Sequence, residues 1–363
     1  MIVIFGSGII GLFIAHKLLS EGEDVKILDQ KKQTGNATDA SVGMLAPLLE
    51  AKPHEEKLFN LMQNSKLIWD ELKKNNTVTN EIGLRDNSSL LIATHEDEVN
   101  SLIFKKKFIE KLGVAPKILD SKETLKIEPN LNSNIKCSLF LQNNNQVSPP
   151  LLKKFLTNQI IQMGGEILGE EKIDKFSFSK NQLLVSNKKI KAKKIIVACG
   201  VWSNELLKNS LGIEFPMRPI KGVSMLFETE HQLFKNNVWF KNLYIAPRKK
   251  NELAVGATEE EKSFEKVVTL DEIFYLSRKL WEYLPEIEKL KFKNIFCGLR
   301  STVIDGSPII GYLKSNSDII CSFGHFRNGI LLGPVTAEIV TNYILEKEIN
   351  NDQMFFSPNR FNL

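Results

Sequence analysis

The sequence predicts an α/β chain of two units: a parallel, nucleotide-type sheet with covering helices, and a second, sheet-rich α+β domain. Three observations carry this. The first thirty residues run strand, helix, strand. Buried-strand runs return at 194–200 and 318–321, each followed by a helical stretch. From 217 to 256 short strands succeed one another with no helix between them.

The opening unit is the most specific. Met1 to Phe5 is apolar enough to be a buried strand, and Gly6, Gly8 and Gly11 follow it as Gly-x-Gly-x-x-Gly. An apolar-periodic helix runs from about Ile9 to Ser20, and after a turn at Gly22 a second strand ends on Asp29. Gly6 permits the tight turn, Gly8 lets a pyrophosphate approach the backbone, and Gly11 lets the helix pack close to the sheet. The helix N-terminus offers unpaired N–H groups and a positive dipole end to phosphates. Asp29, eighteen residues after Gly11, is placed to accept from a ribose hydroxyl pair. The glycines alone are weak evidence, since other α/β proteins have glycine-rich turns. Strand, glycines, helix, strand and acid in this order predict a Rossmann-like dinucleotide-binding domain.

The remaining elements follow in order. A polar stretch, 31–39, leads into Ala40-Ser-Val-Gly-Met-Leu-Ala-Pro47, and Pro53 breaks the chain before an amphipathic helix from about His54 to Lys74. A strand at 88–94 precedes a helix at 96–112 whose apolar positions are Ile103, Phe104, Phe108 and Leu112. Short turns and a small helix occupy 116–129. The loop from Asn143 to Pro150 opens a helix that Gly164-Gly165 ends. Short strands are expected at 167–168, 172–178, 182–186 and 188–190, then a buried strand at 194–200 and a helix at 202–211. Strands at 222–228, 238–240, 243–246 and 252–255 precede a helix capped by Thr269 or Asp271 and stopped by Pro285. Strands at 291–300, 308–311 and 318–321 lead to a closing helix, 329–346. This divides the chain into a discontinuous nucleotide domain, 1–82, 145–214 and 296–363, and a substrate domain, 83–144 and 215–295.

A content of 42% hydrophobic and 25% charged residues is ordinary for a soluble globular protein. No run approaches the roughly eighteen apolar residues of a membrane span. The net charge of +5 is spread along the chain, and its densest basic run, 188–194, alternates as a solvated strand face. No nucleic-acid partner is therefore expected. Cys137, Cys199, Cys297 and Cys321 form no C-x-x-C pair and sit in apolar runs. Buried free thiols in a reducing compartment are expected, with no metal site and a cytoplasmic location.

Further motifs lie far apart. They are Tyr244-Ile-Ala-Pro-Arg248, Gly298-Leu-Arg300 with Asp305-Gly-Ser-Pro308, and Gly324-His-Phe-Arg-Asn-Gly-Ile330. Together with the fingerprint and Gly43-Met-Leu-Ala-Pro47 they stand in the order found in D-amino-acid-oxidase-like flavoproteins. Over nearly its whole length the chain resembles that family, most closely its glycine-oxidising branch. The ordered set is specific for the family and less so for the substrate.

The resemblance implies a glutathione-reductase-type nucleotide domain holding FAD without a covalent bond. By it, Ile9, Ile10, Asp29 and Gln30 line the pyrophosphate and ribose. Ala37, Thr38, Val42, Gly43 and Met44 run along the cofactor toward the flavin ring, and Ile173 meets the adenine through its backbone. His325, Phe326, Arg327, Asn328, Gly329, Ile330 and Leu331 wrap the pyrimidine edge. The N-terminus of the last helix would then face N1 and C2=O, where reduced flavin is anionic and a helix N-terminus favours negative charge.

A small amino-acid substrate and O2 are implied as well. Hydride passes from Cα to flavin N5, the imine hydrolyses to a 2-oxo acid and ammonia, and H2O2 is released. For glycine the family link is to thiamine thiazole synthesis. Arg300, Arg327 and Tyr244 are the substrate-side candidates, because a guanidinium fork makes two parallel hydrogen bonds to a carboxylate. The alternatives are a structural ion pair for Arg300, a pairing within the helix start for Arg327, and an ordinary half-buried strand position for Tyr244. No strong protein base is needed, so His325 is not expected to act as one. Oxidation of D-amino or N-methyl amino acids, electron transfer to a carrier, and a tRNA-modifying flavin domain stay open, as does homo-oligomerisation.

Three departures bear on the substrate. Ser301 stands where relatives carry proline, and Lys221-Gly222-Val223 lacks the glutamine that often follows that glycine. Glu259 stands where an apolar residue can face the substrate. An acid there is placed to bind an amine, to reject larger apolar side chains, or to face solvent.

Overall fold

The computed structural model describes residues 1–30, 35–170, 173–248, 251–261 and 264–362. The chain's opening builds the middle of a six-stranded sheet. In order across it stand Ile309–Leu313, Asn316–Phe323, Lys194–Val197, β1 (Ile2–Phe5), β2 (Val25–Gln30) and Glu166–Glu170. All neighbours are parallel except the edge pair Ile309–Leu313 and Asn316–Phe323. Every residue of β1 is buried, as a strand covered on both faces must be.

On one face lie α1 (Ile9–Ser20), α4 (Glu56–Lys73) and the closing helix Gly329–Ile344. Between them come two short helices, α2 (Ala37–Ala40) and α3 (Pro47–Glu50). Gly333 lets the closing helix sit against α1, because a Cβ there would fall 2.3 Å from the Phe13 ring. On the other face Phe215, Phe323 and a three-stranded meander close a second core.

The second sheet has eight strands, ordered Lys291–Val303, Met217–Glu228, Glu252–Gly256, Tyr244–Arg248, Asn237–Trp239, Ser89–Ala93, Cys137–Leu141 and Lys117–Asp120. The helix Leu270–Tyr283 packs into its core, started by a capping box on Thr269. Lys221 and Glu272 form a fully buried ion pair at 2.9 Å between that helix and the sheet.

Four expectations change. Lys291–Val303 is one strand, paired with Met217–Glu228 along its length, so the expected boundary at 295/296 falls inside a strand and Arg300 stands in the second sheet. The helix at 96–112, observed as Glu96–Lys111, buries Leu102 and Ile109 and leaves Phe104 72% exposed. Of the four expected apolar positions Phe108 and Leu112 pack against the core, whereas Ile103 and Phe104 are exposed and the stripe on the sheet runs through Leu102 and Ile109 instead. Lys117–Asp120 is a strand on the open edge, where no buried alternation marks it. The strand expected at 172–178 is observed as Phe176–Ser179, and residues 171–172, like 31–34 of the polar stretch, lie outside the described residues. Among the described residues no helix is long and apolar enough to cross a membrane.

Candidate active site

One pocket takes its walls from both sheets. The turn between β1 and α1 contributes Gly6, Gly8, Ile9 and Ile10, and β2 ends in it with Asp29 and Gln30. Ala37, Thr38, Val42, Gly43 and Met44 form one side; His325, Phe326, Arg327, Asn328, Gly329 and Ile330 form another. Tyr244 and Arg300 reach it from the second sheet.

Three expected residues do not line it. Gly11 supports the turn, since a Cβ there would lie 2.0 Å from the Gly6 carbonyl oxygen. Ile173 packs at the margin of the core beneath the meander. Leu331 is buried, and its carbonyl accepts from the Ser65 hydroxyl and the Trp69 indole.

At the nucleotide end, Gly6 has φ 106°, and a Cβ there would meet the Ala198 carbonyl oxygen at 2.5 Å. A Cβ at Gly8 would have Thr38 Oγ1 as its nearest neighbour, at 3.8 Å, and would otherwise fill the pocket. Thr38 Oγ1 accepts from the Ile9 N–H at 3.0 Å, while neither α1 nor the closing helix has a side-chain cap at its own N-cap residue. Two helix N-termini thus offer N–H groups to one pocket. Asp29 accepts from the Ser7 N–H and hydroxyl on one oxygen and from the Gln30 N–H on the other, which leaves lone pairs for a diol. The buried Ser322 hydroxyl and Trp239 indole N–H, both on residues lining the pocket, have no hydrogen-bond partner among the described residues. A cradle open at Gly8, two helix starts whose N-cap residues give no side-chain cap, an acid and buried donors without a described partner suit a dinucleotide with a polar ring.

The sequence profile of the FAD dependent oxidoreductase family matches residues 1–343. The chain belongs to this family. The glycine oxidase of Bacillus subtilis (strain 168) is 27% identical over 354 residues, covering 96% of this chain and 94% of its own. The crystal structure of glycine oxidase from Geobacillus kaustophilus has a TM-score of 0.90 at 26% identity, covering 98% of this chain and 97% of that one. That of iminodiacetate oxidase (IdaA) from Chelativorans sp. BNC1 shares the fold, with a TM-score of 0.89 at 20% identity and 99% of each chain covered.

At the other end of this FAD-dependent oxidoreductase's pocket the two arginines differ. The Arg300 guanidinium lies flat on Gly222, where a Cβ would come within 2.4 Å of both terminal nitrogens. Nη1 donates to the Thr258 carbonyl at 3.2 Å, and no carboxylate pairs with Arg300 among the described residues. Arg327 is not free in this way. Nη2 donates to Glu50 at 3.3 Å and Nη1 to Glu259 at 3.4 Å. Glu50 above all, with Tyr244 and Glu259, raises its pKa against the opposing effect of burial. Arg327, expected on the substrate side, thus lines the pocket with both terminal nitrogens on acids from outside its own helix start.

Tyr244 stacks obliquely on Trp239, ring centres 5.4 Å apart. His325 is buried with its Nε2 3.0 Å from the Thr336 hydroxyl, and burial lowers its pKa to about 3. A ring that stays neutral across the working range and is tied to a threonine fits a wall better than a titrating base.

Two departures find structural causes. The Ser301 hydroxyl accepts the Gly324 N–H at 3.1 Å, joining the Arg300 strand to the turn that carries His325. Lys221 holds Glu272 and the Val267 carbonyl, and its backbone pairs with Glu260, so it fastens the segment carrying Thr258 and Glu259. Trp239, Lys153 and Glu50 also line the pocket and were not foreseen. They occupy ordinary strand and helix positions, where spacing carries no signal.

Proposed function

We propose that this chain is an oxidase of glycine or another small amino acid: glycine + O2 + H2O → glyoxylate + NH3 + H2O2. The observation that supports it is the Arg300 fork, seated on Gly222 and free of any described carboxylate, in the pocket that also holds the glycine turn. Bound FAD supplies the two-electron acceptor. Gly6, Gly8, Ile9, Ile10, Asp29, Gln30, Ala37, Thr38, Val42, Gly43 and Met44, with the turn 325–330, are the residues that hold it. Arg300 takes the substrate carboxylate in two parallel hydrogen bonds and so fixes which face of Cα points into the pocket. Tyr244 closes over it from the neighbouring strand. His325 stays neutral and moves no proton. The relatives that carry the name glycine oxidase cover nearly the whole chain, which favours glycine among small substrates and, through it, thiamine thiazole synthesis. Four free cysteines accord with a reducing, cytoplasmic setting.

Anaerobic mixing of the FAD-loaded protein with glycine, sarcosine and D-alanine tests the reading. Glycine should bleach the flavin fastest. Failure of all three to bleach it removes the proposal.

A further inference from the structure

We infer that Glu259 is the positioning residue that restricts this pocket to substrates with one carboxylate, by occupying the terminal nitrogen of Arg327 that Glu50 leaves free. The inference rests on the proposed amino-acid oxidase. Arg300 and Arg327 both face the pocket, and two exposed guanidinium forks would suit a dicarboxylate. The fold gives them opposite surroundings. Among the described residues Arg300 donates to a neutral carbonyl, that of Thr258, and to no acid. Arg327 is held between two acids, one on each terminal nitrogen: Glu50 at the end of α3 and Glu259 just after the strand Glu252–Gly256. The charge at Arg300 is +1, and that of Arg327, Glu50 and Glu259 together is −1. One carboxylate is attracted by the first. A second would have to displace an acid from Arg327 and lie beside it, a like-charge juxtaposition.

Glu259 rather than Glu50 is assigned the role, for two reasons. Glu50, on α3, belongs with Arg327 to the part of the chain built on the first sheet, and its side chain is only 18% exposed. Glu259 reaches across from the second sheet, and its side chain is 50% exposed. Its segment is independently fixed: backbone pairing of Lys221 with Glu260 and the Thr258 hydroxyl on the Val223 N–H set where the carboxylate can reach. Thr258 and Glu259 are adjacent, so one turn of chain orients the open arginine through a carbonyl and occupies the other through a carboxylate.

The test compares Glu259→Gln holoenzyme with wild type by titrating the flavin absorbance with glycolate, malonate and succinate. The readout is the ratio of dicarboxylate Kd to glycolate Kd. Freeing that nitrogen and removing one negative charge should lower that ratio about tenfold for the better of the two diacids, and the gain should shrink with added salt. Adding Arg327→Met to Glu259→Gln should return the ratio to that of wild type, which a merely structural role for Glu259 would not produce. A ratio that stays unchanged in Glu259→Gln, while glycolate still perturbs the flavin, overturns the inference and leaves the oxidase reading intact. Wild-type holoenzyme that neither responds to glycolate nor is bleached by glycine overturns the oxidase reading instead.

Discussion

Arg300 shows how much of a site one residue can carry and what that residue needs around it. Its fork is usable because position 222 has no side chain. Gly222→Ala should therefore act like an attack on Arg300 itself, raising the KM for glycine while leaving bound FAD in place. Arg300→Met should raise that KM about a hundredfold or more, the scale of a lost charged hydrogen-bond pair. Steady-state kinetics with flavin content measured in parallel checks both; an unchanged KM in either removes the clamp. His325 makes a prediction of a different kind. Its pKa is about 3 in the fold against 6.5 for the free side chain, so the unfolded chain binds the proton first as pH falls. Stability from this group is complete above pH 6.5 and declines below it by about 1.4 kcal/mol per pH unit until the folded pKa is reached. His325→Gln lacks that slope, so the Tm difference between wild type and variant should shift against wild type as the solution is acidified. A difference that stays constant with pH contradicts a buried neutral ring. Arg300 was legible in the sequence because it stands in a motif. The pairing of Arg327 was not, since Glu50 is 277 positions away and nothing local marks it.

Elements were legible where one periodicity and its end signals coincide. The opening strand, glycine turn and α1 are observed where the sequence put them, because a buried strand and a helix start leave few alternatives at Gly6 and Gly8. The helix Leu270–Tyr283 likewise begins at the Thr269 capping box. The helix Glu96–Lys111 was found, but only half of its face: Phe108 and Leu112 pack against the core, while Ile103 and Phe104 are exposed. Ile103, Phe104, Phe108 and Leu112 are as apolar as the residues it buries, and which stripe meets the sheet depends on strands Ser89–Ala93 and Cys137–Leu141. The correction has a direct consequence. Ile109→Ala should cost about 2–5 kcal/mol as a cavity in a closed core, and Phe104→Ser less than about 0.5 kcal/mol. Chemical denaturation of both variants decides it, and the reverse order would restore the first assignment. The same helix carries Lys105, whose ammonium donates to the Leu49 and Ala51 carbonyls on either side of Glu50. Burial lowers its pKa to about 8. A surface-looking helix thus fixes a wall of the pocket through a contact that no sequence pattern announces.

At the scale of the molecule, the pocket is the seam between two sheets, and its occupant should make them behave as one. Trp69 packs on Phe13 in the core of the first sheet, and Trp239 lies in the second sheet beside Tyr244. Single-tryptophan variants retaining one or the other therefore report the two halves separately. A ligand bound only by the folded state adds RT ln(1 + [L]/Kd), about 2.7 kcal/mol at a hundredfold excess over Kd. If residues from both sheets hold FAD, as proposed, binding adds that increment to any opening that breaks either wall. The two probes should therefore melt together in saturating FAD and rise together with its logarithm, whereas ADP, which can satisfy only the glycine turn and Asp29, should raise the Trp69 transition more than the Trp239 transition. If FAD moves the Trp69 probe alone, the second sheet does not hold the flavin, and Arg300 and Tyr244 then have no reason to face a reacting substrate.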